Sequence, residues 1–259
     1  MLRAAARSAQ VLATRGFSTA AAGEHTGLVE IRQYTMKPEG IKEFMRLTDE
    51  KKELRRSLLP FLGMFTCDTG GVLNRVVHLY HYNDFAHRDK HRAMSAANKE
   101  WQASAEEYLA FSRPCLLNQE SSVYAPAAAV LAAAGSAPLQ HYQAPAREPG
   151  KQPIYELRQY QLKPGYDGVP KLLQAFEEGL PHKVAADPSG QLVFFGFSEV
   201  GMLNSVVELW RYPSAQDCHD ARRAARRVQQ WRDCIAAVTP GVEHFTSSFM
   251  HACPFSPMQ

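Results

Sequence analysis

The sequence predicts an α+β protein built from two tandem βαββαβ halves, each a four-stranded antiparallel sheet with two helices on one face. Three observations predict it. "VEIRQYTMKP" (Val29 to Pro38) returns as "YELRQYQLKP" (Tyr155 to Pro164), the same at six of ten places with an offset of 126. "GGVLNRVVHLYHY" (Gly70 to Tyr82) returns as "VGMLNSVVELWRY" (Val200 to Tyr212), the same at seven of thirteen with an offset of 130, and Trp101 and Trp231 keep that second offset. Between the copies lies a Pro/Ala/Gly-rich stretch composed like a linker. The halves are then residues 28–126 and 154–259, joined by residues 127–153, with a four-residue insertion in the second half between Pro164 and Val200.

Each element follows from local pattern. In the first strand Val29, Ile31 and Gln33 alternate with Glu30, Arg32 and Tyr34, the two-residue period of a strand. Pro38 opens a helical segment with Ile41, Phe44, Met45 and Thr48 at helical spacing. "FLGMFTCDT" and "VLNRVVHLYHY" flank Gly70-Gly71, which signals a hairpin. Asp84 is placed to cap a helix running from Phe85 to about Ala110, carrying Met94, Ala97 and Trp101. Pro114 stops that helix, and "CLLNQESSVY" supplies the last strand. One sheet face is covered by helices and the other is bare. A bare apolar face needs a partner in water, and the second copy is the obvious one, so the two sheets pack face to face into a barrel-like pseudo-dimer.

Composition excludes several classes. The formal charge of +3 comes from Arg3, Arg7 and Arg15; without them 26 Lys and Arg balance 26 Asp and Glu, and a neutral body gives no footprint for nucleic acid. The start, "MLRAAARSAQVLATRGFSTAAAG", is rich in Ala, Arg and Ser and free of acids. Those are the marks of a mitochondrial transit peptide, residues 1–17, cleaved after Phe17 of "RGFST". No run approaches the roughly 18 apolar residues of a spanning helix. Five cysteines without a CxxC pair fit reduced thiols in a matrix-like compartment.

These blocks resemble the NipSnap family. The likeness rests on the two Y-E-L-R-x-Y-x-x-K-P-like openings, on "GGVLNRVVHLYHYNDFAHR" (Gly70 to Arg88), on "NKEWQ" (Asn98 to Gln102) and on the ending "SSFMHACPFSPMQ". It implies a ferredoxin-like, dimeric α/β-barrel fold, with mitochondrial association; separately, no cofactor is expected. It implies roles in vesicle trafficking, mitochondrial quality control and mitophagy, with mitochondrial or autophagy-related proteins as partners. It supplies no catalytic residue set. One departure stands out. Arg88 has Cys218 as its repeat counterpart: if Arg88 anchors its helix to the neighbouring strand, the second half is expected to lose that contact, and if it lines a ligand site, only the first half is expected to carry the site.

Alternation places Glu30, Arg32 and Tyr34 on one strand face, matched by Glu156, Arg158 and Tyr160. Asn74, Val76, His78 and Tyr80 share a face on the hairpin strand, matched by Asn204, Val206, Glu208 and Trp210. The opposite face, with Val77, Leu79, Val207 and Leu209, suits packing under helices. The polar residues are therefore expected between the two sheets, where Arg32 would pair with Glu30 or a carboxylate of the other half, since an unpaired buried charge is costly. A structural network is the favoured reading. The alternative is a ligand cavity in which His78, Tyr80 and Arg32 act as proton acceptor, donor and anion clamp.

His78, His81, His87 and His91 do not assemble a metal site. His78 and His81 point to opposite faces, and His87 with His91 gives only two ligands. Arg222, Arg223, Arg226 and Arg227 form a helical stripe, read as a solvated face or a contact for a membrane surface. Trp101 and Trp231 are read as core anchors. The leading expectation is a non-enzymatic interaction module; the alternatives are a small-molecule-binding or cofactor-independent oxidising enzyme and a structural subunit of a mitochondrial complex. Self-association is a further option.

Overall fold

The computed structural model describes residues 25–259, so the expected transit peptide lies outside the described residues. Eight strands form one closed antiparallel barrel in the order β1-β3-β2-β8-β5-β7-β6-β4. The first half contributes β1 (Leu28–Met36), β2 (Phe61–Thr69), β3 (Arg75–Tyr82) and β4 (Leu116–Pro126). The second contributes β5 (Ile154–Leu162), β6 (Gln191–Val200), β7 (Ser205–Tyr212) and β8 (Val242–Ala252). Each half is a βαββαβ sheet, and the halves join at two seams: β2 pairs with β8 and β4 with β6. The last strand of each half thus closes against the hairpin of the other, and no strand in the barrel has a free edge.

The helices lie on the outside. In the first half they are α1 (Ile41–Glu50), α2 (Lys52–Leu58), α3 (Phe85–Ala97) and α4 (Lys99–Cys115). The long helix expected from Phe85 is broken at Asn98, whose backbone is extended and whose Oδ1 accepts from the Trp101 amide at 2.8 Å. A side-chain cap in mid-run offers the backbone an alternative to continuing the helix. Asp84 caps α3 as the sequence predicts, its Oδ1 accepting from the His87 amide. Pro114 sits inside the last turn of α4 and does not end it.

Residues between the halves do more than connect them. They carry α5 (Ala128–Ala133), and Val130 and Leu131 are buried in the core of the second half. The second half adds α6 (Gly168–Ala186), α7 (Ala215–Ala225) and α8 (Gln229–Val238). Among the described residues no helix is long and apolar enough to cross a membrane.

The core has three parts. Val29, Ile31, Val77 and Leu79 of the first half meet Leu157, Val207 and Leu209 of the second in a single cluster that fills the barrel, and the Phe65 and Tyr155 rings pack at a tilt of 59°, 4.8 Å apart, across the halves. Two further clusters lie outside the barrel, between each sheet and its helices. This reverses the expected orientation. The apolar alternation fills the space between the sheets, and the polar alternation with Glu30, Arg32, Tyr34, His78 and Tyr80 faces the helices. The reason is desolvation. A closed eight-stranded barrel is wide enough only for side chains and offers a buried charge neither water nor a counter-charge from outside. The helices carry guanidinium groups of their own.

The hairpin tips tie the halves together. Gly70 adopts φ +84°, and a Cβ there would stand 2.1 Å from the Ser247 carbonyl oxygen on β8, so the close approach requires glycine.

Candidate functional site

Beneath α1–α4 the outer face of the first sheet carries a connected polar network. Glu30 is fully buried on β1. It accepts from Arg32 Nε at 2.7 Å, from Arg88 Nε on α3 at 2.8 Å and from Ser121 Oγ on β4 at 2.7 Å. Burial alone would raise its pKa; Arg88, Arg32 and Ser121 outweigh burial and hold the carboxyl at about 2. Register brings the rest together, since Arg32 lies opposite His78 and Glu30 opposite Tyr80. The Arg32 guanidinium sits 4.8 Å above the Tyr80 ring. From α2, Arg55 donates to the Tyr80 hydroxyl at 2.7 Å, and that hydroxyl lies 3.5 Å from His78 Nδ1. The Tyr34 ring is 4.6 Å from that of His78. His78 is buried, and burial, with Arg55 and Arg32 nearby, drives its pKa well below the ordinary histidine value. The imidazole is neutral at physiological pH.

Above this network lies a cavity of about 130 Å³ that opens between α1, α2 and α4. Arg32, Tyr34 and His78 form its floor, Leu47, Thr48 and Trp101 line it, and Lys51, Arg55, Ser104 and Glu107 complete it. Two of the lining residues each carry a buried nitrogen without a hydrogen-bond partner, His78 Nε2 and Arg55 Nε.

The second half repeats the network and closes the space. Glu156 takes the place of Glu30, accepting from Arg158 at 3.2 Å, Arg222 at 2.5 Å and Ser247 at 2.8 Å. Burial raises its pKa less than Arg158 and Arg222 lower it, and the carboxyl is held below the usual range. At the position of His78 stands Glu208, which accepts from Tyr160 and from Trp210 Nε1 at 2.5 Å each. At the position of Tyr80 stands Trp210, fully buried. Lys183 from α6 lies over the Trp210 ring at 3.7 Å and the Trp231 ring at 5.1 Å. It holds the place that Arg55 holds between Tyr80 and Trp101. Burial lowers the Lys183 pKa to about 8, against the opposing pull of Glu208. Phe176 packs against Tyr160, Phe195 and Trp231, completing the fill.

The expected loss at Cys218 does not occur. Cys218 Sγ lies 3.5 Å from Glu156, and the missing guanidinium arrives from Arg222, one helical turn further along α7. Arg222 therefore reaches in to Glu156 and Ser247 at the sheet, while remaining partly exposed. The stripe is also broken, because α7 ends at Ala225 and α8 starts at Gln229, although Arg223, Arg226 and Arg227 are exposed.

Of the polar candidates, Glu30, Arg32, Tyr34, His78 and Tyr80 are brought together, as are Glu156, Arg158, Tyr160 and Glu208, in both cases under helices and not between the sheets. Asn74 and Asn204 belong elsewhere. Their carbonyls accept from the Met36 and Leu162 amides at the hairpin ends, and Asn204 takes the left-handed φ of 55°. His87 and His91 hydrogen-bond each other, Nε2 to Nε2, at 2.9 Å; His91 Nδ1 meets the Leu58 carbonyl and His87 Nδ1 accepts from the Asn83 amide. No group of three metal-ligating side chains occurs among the described residues. Trp231 is a core anchor, but Trp101 is half-buried and walls the cavity. Sequence reasoning missed Lys51 and Arg55, although Leu47, Thr48, Lys51 and Arg55 fall at i, i+1, i+4 and i+8, one helical face.

The NIPSNAP family description matches the chain twice, over residues 29–130 and 155–257. Human Protein NipSnap homolog 3A is 29% identical over 238 residues, covering 89% of this chain and 85% of its own length. Mouse Protein NipSnap homolog 3B is 30% identical over 251 residues, covering 94% and 90%. Among solved structures, an anthrone oxidase-like protein superposes with a TM-score of 0.56 at 12% identity, covering 90% of this chain and 93% of that one. At that identity the likeness concerns the fold alone.

Proposed function

Because the chain belongs to the NipSnap family, we propose a mitochondrial protein whose first half holds a small organic molecule beneath its helices, with the second half as scaffold. The observation that carries this is the cavity over buried, neutral His78 in one half, set against Trp210, Lys183 and Phe176 filling the matching place in the other. A concave, mostly apolar space with a few convergent polar groups is the form that small-molecule sites take. A closed barrel whose interior is occupied by one apolar cluster favours a second reading, a non-enzymatic interaction module in mitochondrial homeostasis, mitophagy or vesicle trafficking.

Native mass spectrometry of the protein purified gently from mitochondria tests the first reading. A retained small mass, lost when Trp101 or His78 is replaced, is the expected result. A bare polypeptide that copurifies with proteins would favour the interaction module instead. The same sample tests import, since its N-terminus should begin near Ser18, and an intact Met1 would count against cleavage.

A further inference from the structure

On the reading of a binding pocket in the first half, we infer that its ligand is a small organic acid. Its carboxylate is held by Arg55 and His78, and its apolar body lies against Trp101 and Leu47. The inference rests on hydrogen-bond accounting. The Tyr80 hydroxyl oxygen accepts from Arg55, which leaves its proton free to point at His78 Nδ1, 3.5 Å away. Neutral His78 then carries its own proton on Nε2, where no partner is found. Arg55 Nε is likewise a buried donor without an acceptor. Two orphaned N–H groups, buried on two residues that line one cavity, call for an acceptor, because buried donors are almost always satisfied.

Charge narrows the acceptor to an anion. Arg32 shares Glu30 with Arg88. Arg55 and Lys51 enter no ion pair with a carboxylate among the described residues, so two cations face the cavity against the single carboxylate of Glu107. That surplus of positive charge suits an anion, and Glu107 stands against placing more charge there than a carboxylate carries. The remaining walls, Leu47, Tyr34 and Trp101, are apolar or aromatic and match a hydrocarbon body. A carboxylate accepts both N–H groups in charge-assisted bonds, which are stronger than neutral ones.

Titration of the full chain with benzoate, benzamide and phenyl phosphate, read by tryptophan fluorescence, tests this. Benzoate should bind saturably, with a signal that disappears in Trp101→Phe while Trp210 and Trp231 still report the fold. Benzamide and phenyl phosphate should bind at least about tenfold more weakly. Arg55→Met should weaken benzoate at least about tenfold and leave benzamide unchanged. Should that variant fail to fold, Lys51→Met at the rim keeps the test alive, with benzoate weakened about threefold and its salt dependence reduced. Benzamide or phenyl phosphate binding as tightly as benzoate overturns the acid while leaving a binding pocket in place. Failure of benzoate to bind also overturns it, and if the native spectrum shows a bare polypeptide as well, the pocket reading falls with it.

Discussion

Replacing Arg88 with Met removes the strongest donor to a carboxylate that has no access to water. Glu30 is fully buried, and its pKa is moved from an ordinary 4.5 to about 2. That difference corresponds to roughly 3 kcal/mol in favour of the charged form. Arg88 is the largest of the interactions opposing burial, while Arg32 and Ser121 remain in the variant, so the expected loss is about 2 kcal/mol at pH 7. For a chain of this size that is a fall in Tm of roughly 4–8 °C. The pH dependence carries a signature. A carboxyl with a depressed folded pKa contributes stability that is fully present above about pH 4.5 and is lost as pH falls through about 2. The gap between parent and Arg88→Met should therefore be wide at pH 7 and narrow steadily between pH 4.5 and 2. Circular dichroism melts across that range measure it, and Glu30→Gln in the Arg88→Met background should recover part of the loss. An Arg88→Met protein that melts within a degree of the parent at pH 7, or a gap that stays constant down to pH 2, would refute the reasoning.

In the second half, Arg222→Met should cost a similar amount, measured by the same melts. Cys218→Arg should destabilise by crowding a second guanidinium against Arg222, whereas Cys218→Arg with Arg222→Ala should restore stability. Lys183, with a folded pKa of about 8 against an ordinary 10.5, binds fewer protons folded than unfolded between those values, so stability should rise from pH 8 to 10.5; Lys183→Met should abolish that rise in denaturant titrations. Residues 28–126 expressed alone expose the β2 and β4 edges and an apolar sheet face, and should homodimerise or aggregate; a stable monomer by sedimentation would contradict the shared barrel core.

What the sequence disclosed was local or repeated. The duplicated strands, the hairpin at Gly70-Gly71 and the Asp84 cap depend on neighbours a few residues apart, and all are found. Alternation separated the strand faces correctly but did not say which one turns inward. Bulk could not decide it either: Tyr80, Tyr82, Trp210 and Tyr212 pack under the helices, yet Phe65, Tyr155 and Phe194 lie in the cluster inside the barrel. Arg222 replaces Arg88 across a shift of one turn, which residue-by-residue alignment of the halves hides. The cavity was illegible because it depends on what is missing in three dimensions. Tyr at position 80 and Trp at 210 look like exchangeable aromatics in a string, yet only the tryptophan, with Lys183 against it, leaves no room.

Closing the barrel with two covalently joined copies has a consequence for binding behaviour. A barrel assembled from two identical chains would present two equal pockets across one shared core, and occupation of either would be felt by the other. Here Trp210 and Lys183 occupy the matching place in the second half, so on the pocket reading each chain offers one such site, and its saturation curve should be hyperbolic with a stoichiometry of one. Any sigmoidal response would have to arise between whole chains, through contacts outside the barrel, and not from within it.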